Sequence, residues 1–331
     1  MMTTIHKMTG YALGAVAANV VLQVVMVLLL TVMFERFGLL LSVVMALGYV
    51  GMVTLIHFCL TPYYNMRRHE DARQEMLQTV GNLSWRSVAL TMMLVIMAQS
   101  LWCATIGLYF FDYVNAQSLM SWLSCWSVSV TSENVFTIGL IAFIVVAIVA
   151  QLFGAVFFTN YLSRHLGKKG SQVVCLGLTA LFSLLSYMPQ SDEITLVFVL
   201  CVLKSLAFGP VVPLLWTMTG DVANHLAHQH QLRATGFCYS GVLFALKLGL
   251  GLGIALGGLL LTVFGYLPEA DGLQSWTAMQ GIRFISSFVP AMLFTVAVMA
   301  FWSYPYCSNI TLQINDKNDE KTVSFTSYGD Y

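Results

Sequence analysis

The sequence predicts an all-α polytopic membrane protein, and three observations carry that prediction. Of its 331 residues, 58% are hydrophobic and only 9% are charged, against about 25% charged in an ordinary globular chain. Apolar runs of roughly 18 or more residues recur along the chain, each long enough to cross about 30 Å of hydrocarbon. The charged residues gather in the connections between runs, with basic residues concentrated on alternate connections. Formal net charge is zero, so charge balance points to no nucleic acid or acidic partner. The expected surroundings are a lipid bilayer.

About eight spans are expected, near residues 10–33, 38–60, 87–111, 135–159, 172–189, 194–219, 235–265 and 281–304. The first lacks a small-residue cleavage site and reads as a retained helix, not a removed leader. With the N-terminus inside, the cytoplasmic pieces hold Lys7, Arg67, Arg68, Arg73, Arg86, Arg164, Lys168, Lys169, Arg233, Lys317 and Lys321. The outer pieces hold Arg36 and Arg283 with Glu133, Asp192, Glu193, Glu269 and Asp271. The positive-inside rule then makes both termini cytoplasmic. Residues 61–86 are mixed in charge and read as a solvated cytoplasmic linker, with an interfacial helix as the alternative. The polar tail 305–331 is cytoplasmic. The domain plan is a two-helix unit over 1–60, the linker 61–86, a six-helix bundle over 87–304 and the tail.

The sixth and seventh spans hold the unusual residues. Lys204 and Lys247 fall about eleven and twelve residues into their spans, near the bilayer midplane at about 1.5 Å per residue. An ammonium there costs roughly 2.5–3.5 kcal/mol on insertion scales and is by default a functional hypothesis. No span carries an Asp or Glu near its centre; Asp112 and Asp221 lie at opposite membrane faces. Each lysine therefore faces a wet cavity, snorkels along its neighbours, gives up its proton under desolvation or lacks its partner in this chain. Pro210 and Pro213, after Gly209, remove two backbone donors and are expected to kink the sixth span. Such interruptions line transporter cavities, though they also serve packing alone. Trp216 reads as an interfacial anchor or as a stacking surface for a sugar ring.

Gly249, Gly253 and Gly257 form a GxxxGxxxG row that lets a neighbouring helix approach closely. Lys247, two residues away, is about 200° around the helix from that row. The seven cysteines are scattered without a CxxC pair and read as small packing residues. His225, His228 and His230 lack metal-ligand spacing, so no metal or cofactor is expected. No nucleophile–base order, phosphate loop or paired intramembrane carboxylates appear, and no enzyme is expected.

The stretches GPVVPLLWTMTGDVANH and RATGFCYSGVLFALKLGLGLGIALGGLLLTVFGY resemble the tenth and eleventh helices of the glycoside-pentoside-hexuronide:cation symporters, the melibiose-permease-like branch of the major facilitator superfamily. Residues 8–38 resemble that family's first helix, 38–60 its sixth, 82–114 its seventh, and NYLSRHLGKKG its basic turn between the eighth and ninth. The second to fifth helices have no counterpart. The resemblance thus implies an incomplete major-facilitator-type bundle in the bacterial inner membrane. It implies a small sugar or glycoside as solute and Na+ or H+ as coupling cation, moved by alternating access. Lys247 matches a functional lysine, Asn19 a sugar-contacting position, and Asp221 and Arg233 the charged turn after the tenth helix. Ala15, Asn224 and Ala227 depart from the family pattern. With helices missing, transport is expected to be impaired. The alternative is a non-transporting membrane remnant, or a subunit docking on another carrier through its glycine row.

Overall fold

A computed structural model describes residues 76–125, 131–132, 134–230, 235–267 and 274–304. The expected spans at 10–33 and 38–60, Ala15, Asn19, Arg233, the tail and the side chains of His228 and His230 lie outside this set.

The described residues fold into helices. In chain order these are α1 (Leu83–Leu108), α2 (Ala116–Ser124), α3 (Val135–Phe153), α4 (Thr159–Leu185), α5 (Ile194–Phe208), α6 (Val211–His230), α7 (Thr235–Val263) and α8 (Trp276–Trp302). One-turn π segments extend α1 through Tyr113 and join α3 to α4 across Gly154–Phe158. Among the described residues, five continuous helical stretches are long and apolar enough to cross a membrane: Leu83–Tyr113, Val135–Leu185, Ile194–Ala227, Thr235–Val263 and Trp276–Trp302.

The 51-residue stretch Val135–Leu185 is two passes, not one. Gly167 breaks it with φ 70 and ψ 171, a conformation open to glycine because it has no Cβ. Residues 143 to 155 pack alongside 198 to 209 in the same direction, whereas the segment after Gly167 runs antiparallel to α8. The chain therefore turns back at Gly167, and six passes result. They match the last six expected spans, with ends moved by a few residues. The short helix α2 sits within the connection expected over 112–134.

Local chemistry sets the helix ends. Asn82 caps α1 by accepting from the Trp85 N–H at 3.1 Å, Asn115 caps α2, and Ser275 caps α8 by accepting from the Ala278 N–H. Gly265, with φ 72, ends α7 in a Schellman turn: the Tyr266 N–H reaches the Leu261 carbonyl and the Gly265 N–H reaches that of Thr262. The glycine row of α7 is filled by α1. A Cβ on Gly249 would stand 2.3 Å from the Met93 carbonyl oxygen, and one on Gly253 would stand 2.4 Å from that of Met97. Helices α1 and α7 thus run parallel with backbones in contact, the close approach that small residues permit. The row is internal, and it offers no surface for the docking on another carrier that the sequence alone allowed.

A second close approach joins α3 to the α5–α6 corner. The chain interrupts its helix at Gly209–Pro210, where the proline supplies no backbone donor. A Cβ on Gly209 would lie 2.4 Å from the Gln151 carbonyl oxygen, and one on Gly154 would lie 2.3 Å from that of Leu206. The π segment beginning at Gly154 therefore lies against the interruption in the facing helix.

Charge sorts to the two ends. At one, Lys168 pairs with Asp221, and Lys169 donates to the carbonyls of Trp302 (3.2 Å) and Tyr304 beyond α8. At the other, the Asp112 carboxylate accepts from the Tyr266 hydroxyl at 3.2 Å. There too the Arg283 guanidinium donates to the Tyr187 and Met188 carbonyls at 2.8 and 3.1 Å.

Candidate functional site

Two neighbourhoods collect the candidate residues that the structure describes. The first surrounds Lys204. Helix α5 is apolar all round, so its composition alone does not say which side faces inward. Its neighbours decide: Ile194, Phe198, Cys201, Ser205 and Phe208 are buried at alternating steps of four and three, with Leu200 and Lys204 beside them. Lys204 is 5% exposed. Its Nζ stands 4.0 Å from the centroid of the Trp102 ring, a cation–π contact worth about 2 kcal/mol when desolvated. Among the described residues, no Asp or Glu lines the surrounding cavity.

That cavity has a volume of about 30 Å³. One wall is the Trp102, Ile106, Tyr109 stripe of α1, at steps of four and three; the facing wall is the Val197, Cys201, Lys204 stripe of α5, at the same steps. Ser286 and Ser287 of α8, Ser186, Pro189 and Phe143 complete it. The Ser287 hydroxyl donates to the Ser186 carbonyl and the Ser286 hydroxyl to the Arg283 carbonyl, both at 3.1 Å. Pro290 lies one turn further along α8 and leaves the Ser286 carbonyl without its helical donor. An aromatic cluster adjoins the cavity: Phe143 lies 5.0 Å from Phe110 and 5.3 Å from Phe198, and Trp122 of α2 stacks on Phe198 at 4.3 Å. Pairs of this kind contribute about 0.5–1.5 kcal/mol each beyond their burial.

The second neighbourhood is the exposed face of α7. Lys247 is exposed there, on the side of the helix away from the glycine row, as the 200° offset requires. Leu243 and Tyr239 follow at steps of four on the same exposed stripe. Trp216 of α6, half-buried, stacks on Tyr239 with ring centroids 6.2 Å apart and planes 12° apart. The stacked pair and Lys247 are separated by two helical turns, roughly 12 Å along α7. Tyr239 escaped the sequence reading, although its spacing of eight residues from Lys247 is the signal that places both on one face.

Asp221 lies one turn beyond Trp216 and is taken up by its ion pair with Lys168, both side chains nearly half exposed. The structure therefore separates the candidates. Trp216 and Lys247 share a face through Tyr239, Lys204 sits in its own cavity, and Asp221 belongs to the charged end. Of the two mid-span lysines, the bundle encloses Lys204 and leaves Lys247 at its surface.

The chain matches the family described as "MFS/sugar transport protein" over residues 3–308. Three Escherichia coli (strain K12) proteins are similar to it. One bears the name "Putative glycoside/cation symporter YagG", 27% identical over 152 residues, 46% of this chain and 33% of its own. Another is "Inner membrane symporter YicJ", 32% identical over 126 residues, 37% of this chain and 26% of its own. The third, "Putative sulfoquinovose importer", is 27% identical over 236 residues, 67% of this chain and 45% of its own. The chain thus spans less than half the length of these relatives in each match. With its apolar passes and a family match over nearly its whole length, the chain belongs to the MFS/sugar transport protein family and is a multi-pass protein of the inner membrane.

Proposed function

We propose that the chain is a secondary transporter of the sugar or glycoside:cation symporter type, with Na+ or H+ as the coupling cation. The family match over residues 3–308 carries this reading, and the names of the similar proteins, symporters and an importer, support it. In this reading the face of α7 and α6 is where the solute sits. The Trp216–Tyr239 stack offers an apolar ring face for a sugar, and Lys247 supplies the donors for its hydroxyl or acid groups. Asn19 and Arg233 are assigned to the same solute path by resemblance, and Asp221 holds the charged end that must open and close.

The reading includes impairment: with the second to fifth helices lacking a counterpart, the ordinary pair of rocking halves does not form from this chain alone. The rival reading is a non-transporting membrane remnant or a partner subunit of another carrier, which would dock through a surface other than the glycine row, since that row packs against α1.

Uptake of radiolabelled pentoside or galactoside into vesicles, driven by a sodium or proton gradient, tests both parts. The expected result is gradient-dependent uptake far below that of a full-length relative, and none in Lys247→Gln. Uptake no different from empty vesicles would overturn the symporter reading. Parity with the full-length relative would overturn the impairment.

A further inference from the structure

The cavity beside Lys204 has a use that solute transport leaves open. Lys204 is 5% exposed, its charge is held over the Trp102 ring, and among the described residues no carboxylate lines the cavity beside it. Desolvating an ammonium costs several kcal/mol, and a ring face returns only part of this. Tyr109 is 4% exposed, lines the same cavity, and its hydroxyl makes no hydrogen bond among the described residues. Both residues thus line one space. One turn away on α8, the Arg283 guanidinium adds a second positive charge.

The acceptors at hand are few. Ser286, whose carbonyl Pro290 leaves without its helical donor, lines the cavity, and no described acceptor takes a hydrogen from the Lys204 ammonium. The Ser286 and Ser287 hydroxyls spend their hydrogens on carbonyls through 3.1 Å bonds, and a hydroxyl rotates to suit a better acceptor. A water molecule needs about 10–15 Å³, and this cavity of about 30 Å³ exceeds that by enough for a larger monatomic ligand. Water in the cavity would solvate the charge without neutralising it. An anion does both.

We propose that this cavity is a binding site for a halide-sized monovalent anion, held by the Lys204 ammonium and the Tyr109 hydroxyl as the counter-charge that no described residue lining it supplies. The anion would stabilise the bundle by binding its folded form alone.

The test is thermal unfolding of the full chain, purified in detergent, with chloride or bromide replacing gluconate at constant ionic strength. The expected result is a saturable rise in unfolding temperature with either halide. Tyr109→Phe should weaken the apparent halide affinity roughly threefold to tenfold, the worth of one hydrogen bond. Lys204→Met should abolish the response. Superimposed halide and gluconate curves in the unmodified chain would mean that water alone fills the cavity, and would overturn the proposal. An undiminished halide response in Lys204→Met would place the anion elsewhere and would also overturn it. Should Lys204→Met fail to fold, bromide anomalous scattering on crystals of the unmodified chain decides: a peak beside Lys204 Nζ supports the site, and its absence there sinks it.

Discussion

A Cβ placed on Gly253 would stand 2.4 Å from the carbonyl oxygen of Met97 and 2.0 Å from the Ser100 hydroxyl oxygen. The Ser100 side chain could rotate away, but the Met97 contact is with the backbone of α1 and cannot be relieved in that way. Gly253→Ala is expected to lower stability by about 1–3 kcal/mol, the usual cost of overpacking. Gly177→Ala, where nothing lies within 4 Å, is the control. It should be neutral or gain about 0.5–1 kcal/mol from helix propensity. Thermal unfolding in detergent separates the two, and equal losses would mean that α1 and α7 do not meet along this row.

Trp102 and Lys204 should be energetically coupled. Trp102→Leu removes the ring face under the ammonium and is expected to cost about 2 kcal/mol beyond its lost packing. The same substitution in a Lys204→Met background should lose only the packing term. A double-mutant cycle on unfolding free energy reads the difference, expected at about 1–2 kcal/mol. Strict additivity would remove the cation–π contact from the description of the site.

The Lys168–Asp221 pair is expected to contribute little. Both side chains are nearly half exposed, and ion pairs in that setting contribute about 0–1 kcal/mol. Asp221→Asn and Lys168→Met should each shift stability by less than about 1 kcal/mol, with the shift shrinking in 1 M salt. A loss of several kcal/mol that persists in high salt would show the pair to be buried in the membrane-embedded protein.

Arg283 should not be replaceable by lysine. Its guanidinium donates to the Tyr187 and Met188 carbonyls and lies 4.5 Å from the Tyr187 ring centroid, so it binds through its fork and stacks through its plane. Arg283→Lys is expected to lose about 1–3 kcal/mol, close to the loss in Arg283→Leu. Full rescue by lysine, measured by thermal unfolding, would reduce the role of Arg283 to its charge.

Much of the architecture was legible in the residues themselves. Runs long enough to span gave six of the passes to within a few residues, and the placement of Arg86, Lys168 and Lys169 against Asp192 and Glu193 sorted the two ends. The glycine row announced a close helix contact before any partner was known. Gly167 shows a limit of that reading, since the turn between the two passes of Val135–Leu185 rests on one backbone conformation and not on a polar loop.

Depth along each helix, then, is a property of the chain itself, because every residue adds about 1.5 Å whatever surrounds it. Lys204 and Lys247 are alike by that measure. Rotation about the helix axis is different: α5 and α7 are apolar on all sides, and a helix without a polar face carries no mark of which side turns inward. The packing of α3 and α4 against α5 put Lys204 in the core, with its ammonium over Trp102 of α1, and the packing of α7's glycines against α1 turned Lys247 outward. Which of the two charges is enclosed is therefore decided by tertiary structure alone.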